Sequence, residues 1–297
     1  MATRLLIFVL VASLALPGHA GAWGFDAHHL IMERAIALLP AEIRPLFEKH
    51  RAKVIERIID PDTWRAAGFE DEDPNHFLDL DWEGYGKEPF SELPRDYTAA
   101  IAKFGRARIR ENGTVPWRVE EMFGNLERAF RNYPRRGAFG QTDIIHFSAW
   151  LSHYVSDSIQ PFHGVINYDG QLTKQNGVHA RFETALVERY KSQLVLNPKA
   201  LPPIRAPRDF IFERLIEDTR LAPGILKADL DAIGTRDVYD DQYFDAFFKA
   251  TRPVLEQRLN DSIAAVAAAI TGAWEAAGRP PVPVTPAPTP PRRRARP

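Results

Sequence analysis

Through most of this chain apolar side chains recur every three to four residues, and no stretch shows the strict alternation of a strand. That regularity confines the fold to packed helices. Residues 27–38 place Leu30, Ile31, Ala35 and Leu38 on one face, and Pro40 stops the helix. Residues 41–58 repeat the pattern with Ile43, Leu46, Phe47, Val54 and Ile58. Further helices are predicted over 118–132, 141–160, 178–197, 208–219 and 241–277, the last rich in alanine. Asp60-Pro61-Asp62, the acidic stretch 70–74, and segments 84–94 and 164–177 read as loops between them. The expectation is an all-α fold, a single-domain multi-helix bundle spanning residues 23–278.

The two ends read differently. Residues 1–22 carry Arg4, an apolar run from Leu5 to Leu16, a Pro17-Gly18 break and Ala20-Gly21-Ala22. These are the three parts of a signal peptide, and small residues at −3 and −1 favour cleavage after Ala22 over cleavage after Ala20. The mature chain is then exported, periplasmic or secreted, and begins at Trp23. It has no cysteine, so neither a disulfide nor a thiolate ligand can form. Residues 279–297 are rich in proline and end in an arginine cluster, the composition of a disordered or extended solubilising tail. Arg4 and five tail arginines account for six of the 38 basic residues, which leaves 32 against 39 acidic ones between, a formal −7. Such a balance offers no footprint for duplex nucleic acid.

Chemistry enters through helical spacing. His153 and Asp157 stand four apart, as do His179 and Glu183, and side chains so spaced share one helix face. His163 follows just beyond Gln160-Pro161, and His28 and His76 lie upstream. Neutral imidazole with carboxylate suits Zn²⁺. A Trp23 freed by cleavage adds its α-amino nitrogen and carbonyl oxygen as a chelating pair. One such pair alone is commonly a surface ion pair; the whole set points to metal.

These motifs, W-G-x-x-x-H from Trp23 to His28, D-x-x-R from Asp62 to Arg65, H-F-x-D from His76 to Asp79, HYxxDxxQPxH from His153 to His163 and HxxxE from His179 to Glu183, resemble the bacterial zinc-dependent phospholipase C family. They are also similar to the fungal and plant single-strand nucleases that share a trinuclear zinc site. The resemblance implies an all-helical bundle that hydrolyses phosphodiesters with three zinc ions per chain. It implies one ion on Asp62, His76, His153 and Asp157, a second on His163, His179 and Glu183, and a third on His28 and the amine and carbonyl of Trp23, with Asp157 bridging. Asp62 is implied as the catalytic carboxylate that orients or deprotonates the attacking water.

Three functions follow as expectations. A monomeric phospholipase C would cleave phospholipid to diacylglycerol and a phosphorylated headgroup during transient contact with a membrane surface; Glu183 resembles that branch. A single-strand nuclease or nucleotidase is the alternative, and only there would nucleic acid be a partner. A secreted, non-enzymatic zinc-binding module is the third. Other residues are read as supporting or structural: Arg65 as a partner of Asp62, His29 as surface or core edge, His146 as a buried hydrogen-bonded side chain, and His50 as solvated. Asp79 or Asp81 would back a ligating histidine or cap a loop, and Trp64, Phe69, Phe77 and Tyr168 would line a headgroup or base pocket or, as is usual for aromatics at such density, belong to the core.

Overall fold

A computed structural model describes residues 23–136 and 138–285. Residues 1–22, where the signal peptide is expected, residue 137 and residues 286–297 lie outside the described residues. The chain is all-helical: among the described residues every regular element is a helix. Six elements position the site, α1 (Phe25–Leu38), α2 (Asp60–Ala66), α3 (Val115–Arg136), α4 (Ala138–Asp157), α5 (Pro207–Ile233) and α6 (Asp241–Ala276).

Helix α6 is the axis. The Asp240 carboxylate accepts the Tyr243 N–H at 2.8 Å and satisfies one of the orphan donors of its first turn. The helix is 36 residues long, roughly 54 Å. From Ser262 to Ile270 every residue is buried, as expected of a helix apolar on all sides. Helices α1, α3, α4 and α5 all pack against it. Small side chains let other backbone approach: Ile204 N–H donates to the Ala268 carbonyl at 3.1 Å. A Cβ added at Gly272 would stand 2.0 Å from the Ile204 oxygen, so only glycine fits there.

Several boundaries differ from the apolar period. The stretch 41–58 divides at His50 into Arg44–Lys49 and Arg51–Arg57. Asp60-Pro61-Asp62 is the first turn of α2 rather than a loop, since proline needs no N–H there and acidic side chains suit a helix N-terminus. Helix α5 continues through Pro223 to Ile233, because burial of Ala222, Ile225, Asp229 and Ala232 offsets the lost backbone bond. The segment predicted over 178–197 contains a π-helical stretch, Arg181–Ala185, and ends in a 3₁₀ turn at Lys191–Gln193, short of residue 197.

The tail also needs correction. Its first residues, 279–285, are docked: Val282 is buried, and Trp274 Nε1 donates to the Pro280 carbonyl at 3.0 Å. Gln141 Nε2 donates to the carbonyls of Pro283 and Val284 at 2.9 and 3.1 Å. A proline-rich segment offers no N–H groups at its prolines but keeps its carbonyls, and here several are bound by side chains of the bundle. No helix among the described residues is long and apolar enough to cross a membrane.

Candidate metal centre

The C-terminal turns of α4 carry His153, Tyr154, Ser156 and Asp157, all fully buried. Beyond Asp157 the chain turns through Gln160 into a short 3₁₀ helix, Pro161–Gly164, which brings His163 back toward the same region. Helix α1 supplies His28 and α2 supplies Asp62, while a second 3₁₀ turn, Asp73–His76, supplies His76. His179 and Glu183 straddle the entry to the π-helical segment, a feature frequent at functional sites.

These side chains form three buried groups, each with ligand atoms within 4.8 Å of one another: His28, His153 and Asp157; Asp62, His76 and His153; His163, His179 and Glu183. His153 belongs to the first two, and Asp157, a member of the first, also touches the second. Its Oδ1 lies 3.2 Å from His28 Nε2, and its Oδ2 lies 2.9 Å from His76 Nδ1 and 3.2 Å from His153 Nε2. Asp62 Oδ1 stands 3.8 Å from His76 Nδ1 and 3.9 Å from His153 Nε2. In the third group His163 Nε2 and His179 Nε2 are 3.2 Å apart, with Glu183 Oε2 at 3.9 and 2.9 Å from them. Ligands bonded to a tetrahedral ion at about 2.0–2.1 Å are about 3.3 Å apart, so these separations match a shared cation.

Hydrogen bonding alone leaves the cluster unsatisfied. His76 Nδ1 and His153 Nε2 face one another at 3.1 Å. Asp62 Oδ2 and Glu183 Oε1 are buried without a hydrogen-bond partner, and His28 Nε2 and Asp157 Oδ1 have only their 3.2 Å contact with each other. Buried polar atoms are ordinarily paired, and a bound cation would satisfy this set. The residues therefore fit a metal chemically as well as geometrically.

Electrostatics agree. Burial pushes the Asp157 carboxyl up, but His153, His28 and His76 outweigh it and hold it well below the usual carboxylate range. Burial lowers His163 and His179 to about 4, so both imidazoles are neutral at pH 7, the state a metal needs. Burial also raises Glu183 well above its ordinary value, against weaker opposition from His163 and Gln160. A cation beside it would offset that burial and favour the carboxylate form.

Supporting contacts fix the rings. His163 Nδ1 donates to the His76 carbonyl at 2.7 Å, which turns Nε2 inward. Ser156 Oγ lies 3.0 Å from His28 Nδ1, and the His28 and His153 rings stack at 4.2 Å. Arg65 Nη2 reaches Asp62 Oδ1 at 3.3 Å, the partnership read from the D-x-x-R spacing. The Trp23 indole is buried against Phe182, and its Nε1 donates to the Ser156 carbonyl at 2.8 Å, which anchors residue 23 beside the Asp157 turn.

Other expectations change. His50 is half-buried, with Nε2 3.3 Å from Gln141 Oε1, instead of solvated. His146 is only half-buried, packs on Trp150, and belongs to none of the three groups. Phe69 and Tyr168 are exposed rather than core, with the Tyr168 ring 6.2 Å from that of His179. Asp81 caps a loop through the Ile166 N–H at 2.7 Å. Burial, then Asp81, raises Asp79 to about 7.

Two residues beside the ligands escaped the sequence reading. Gln160 donates from Nε2 to Glu183 Oε2 at 2.7 Å, while its Oε1 accepts the Phe162 N–H. Glu72 is buried with Oε1 3.7 Å from His76 Nε2. Its four-residue spacing to His76 was a usable signal, hidden because 70–74 read as loop.

No protein-family model matches the chain. A probable serine protease of Bradyrhizobium tropiciagri is 25% identical over 170 residues, which covers 50% of this chain and 20% of that protein. The chain therefore spans only a small part of that relative's length.

Proposed function

We propose that this chain is a zinc-dependent phosphodiester hydrolase of the phospholipase C type, exported and metal-loaded once Trp23 is freed. One ion would take Asp62, His76, His153 and Asp157, a second His163, His179 and Glu183. A third would take His28, Asp157 and the amine and carbonyl of Trp23. The observation that carries this reading is the sharing of Asp157 between two ligand groups through separate oxygens. Structural zinc sites are usually closed, separate and cysteine-rich; a shared set of hard ligands suits substrate turnover better. When bound, the ions would supply Lewis acidity toward phosphoryl oxygens and lower the pKa of coordinated water.

The chain's own part falls to Asp62. Arg65 holds its Oδ1, while Oδ2 is buried and free of hydrogen bonds. That oxygen can orient a water or accept its proton. Asp62, Asp157 and Glu183 carry three negative charges against six on three zinc ions, so an anionic diester is attracted. The acidic balance of the domain, with Glu183 closing the HxxxE motif, favours a lipid diester over a long polyanion. A single-strand nuclease with the same centre is the competing reading.

The name of the Bradyrhizobium protein suggests a serine nucleophile. Ser156, His28 and Asp157 do lie in contact, at 3.0 and 3.2 Å. Ser156 is fully buried, however, and its Oγ donates to the Ser152 and His153 carbonyls at 2.8 and 2.9 Å. No substrate carbonyl can approach it, so a serine-hydrolase role has no support from this triad.

The test is a competition assay on protein from an exporting host, given zinc, short-chain phosphatidylcholine and single-stranded DNA together. Diacylglycerol with phosphocholine supports the proposal. Nucleotide products move the chain to the nuclease reading. A zinc-loaded protein inert toward both, and toward other phosphodiesters, refutes hydrolysis.

A further inference from the structure

We infer that Glu72 is a positioning residue for His76, holding its imidazole as the Nε2–H tautomer so that Nδ1 is the atom offered to a cation. The inference rests on reading the cluster as a metal centre. The His76 ring divides its two nitrogens between different surroundings. Nδ1 faces Asp157 Oδ2 at 2.9 Å, His153 Nε2 at 3.1 Å and Asp62 Oδ1 at 3.8 Å. Nε2 faces Glu72 Oε1 at 3.7 Å and has no hydrogen-bond partner. A neutral imidazole carries one ring proton. A lone carboxylate on the outer side draws that proton outward and leaves the inner lone pair for the ligand group. A contraction of under about 1 Å brings the outer pair into hydrogen-bond range.

Glu72 is itself held in place. The Tyr154 hydroxyl donates to its Oε1, while Asn75 Nδ2 and Arg118 Nη2 reach Oε2 at 3.3 and 3.4 Å. Arg118 also donates to the Tyr154 hydroxyl at 3.1 Å, and its guanidinium lies over the Tyr154 ring. Tyr154 follows His153 in α4, and its ring meets that of His76 edge-on at 5.7 Å. One turn of α4 therefore supplies both a ligand and the hydroxyl that steadies Glu72. A chance acidic residue on a loop would be exposed and mobile; Glu72 is buried and fixed by three donors.

Two measurements test this. In zinc-loaded protein from an exporting host, labelled with ¹⁵N-histidine, long-range ¹H–¹⁵N correlation spectra should show His76 protonated at Nε2 and not at Nδ1. His76→Gln identifies the resonance. In Glu72→Gln, chelator competition should show one zinc bound roughly 10–100-fold more weakly. The remaining ions should keep their affinity, and melting in excess chelator should match wild type. A His76 protonated at Nδ1 in the zinc-loaded protein overturns the inference. So does Glu72→Gln that binds every ion as tightly as wild type, or that loses chelator-state stability and all zinc affinities together, since that is plain structural damage. A wild-type chain that retains no zinc defeats the metal-centre reading itself, and the inference with it.

Discussion

Asp157 and Glu183 are both buried carboxylates four residues from a histidine, yet their removal should have unequal consequences. Asp157 contacts members of two ligand groups, with Oδ1 toward His28 and Oδ2 toward His76 and His153, whereas Glu183 contacts one. An ion held at a concentration 1,000-fold above its dissociation constant stabilises the native state by about 4 kcal/mol. Asp157→Asn should then forfeit about 8 kcal/mol of zinc-derived stability and Glu183→Gln about 4 kcal/mol. At about 2–4 °C per kcal/mol for a domain of this size, the zinc-induced rise in Tm should shrink by ~16–32 °C in the first variant and ~8–16 °C in the second. Each variant is melted with zinc and with excess chelator, and only the difference is compared, so damage to the metal-free fold cancels. Elemental analysis should find one retained zinc in Asp157→Asn and two in Glu183→Gln. Equal losses in the two variants, or full zinc content in Asp157→Asn, would refute the bridging role.

Other outcomes follow from the same geometry. Asp62→Asn should keep most of its zinc while kcat falls by roughly 10²–10⁴; zinc loss in proportion to activity would make Asp62 a ligand and nothing more. In chelator-stripped protein, burial holds His163 and His179 near 4 against 6.5 when unfolded. The unfolded chain thus takes up protons first, so the stability tied to these residues is present above pH 6.5 and is lost as pH falls toward 4. Urea midpoints should drop across that window, and a His179→Gln variant with the same slope as wild type would contradict the assignment. Val282→Asp should cost about 2 kcal/mol by undocking the start of the tail; an unchanged urea midpoint would mean that residues 279–285 add nothing.

The i, i+4 pairs His153–Asp157 and His179–Glu183 were legible because a helix converts fixed spacing into fixed proximity. What spacing could not give was pairing across the chain. The Trp23 indole meets the Ser156 carbonyl and Gln160 meets Glu183 only because tertiary packing brings distant segments together. Glu72 was missed because its partnership with His76 crosses a 3₁₀ turn, where apolar periodicity is silent. Helix α5 outran its prediction at Pro223 because local breaking rules ignore the burial that holds the helix on both sides. The start of the tail was misread for the same reason in reverse: composition overlooked the burial of Val282.

The contacts between α1 and α6 join the first helix of the bundle to the last. A chain emerging from its amino end can therefore pack α1 against the helices at 44–57 and against α4, but its contacts with α6 wait until residue 241 and beyond are available, and contacts of such long sequence separation form late. His28 rides on α1, so the group it completes with His153 and Asp157 gains its last packing support only when α6 closes over both α1 and α4. Firm metal capture there becomes a late event, and a chain cut short before its final helix would hold the same ligands in a looser frame.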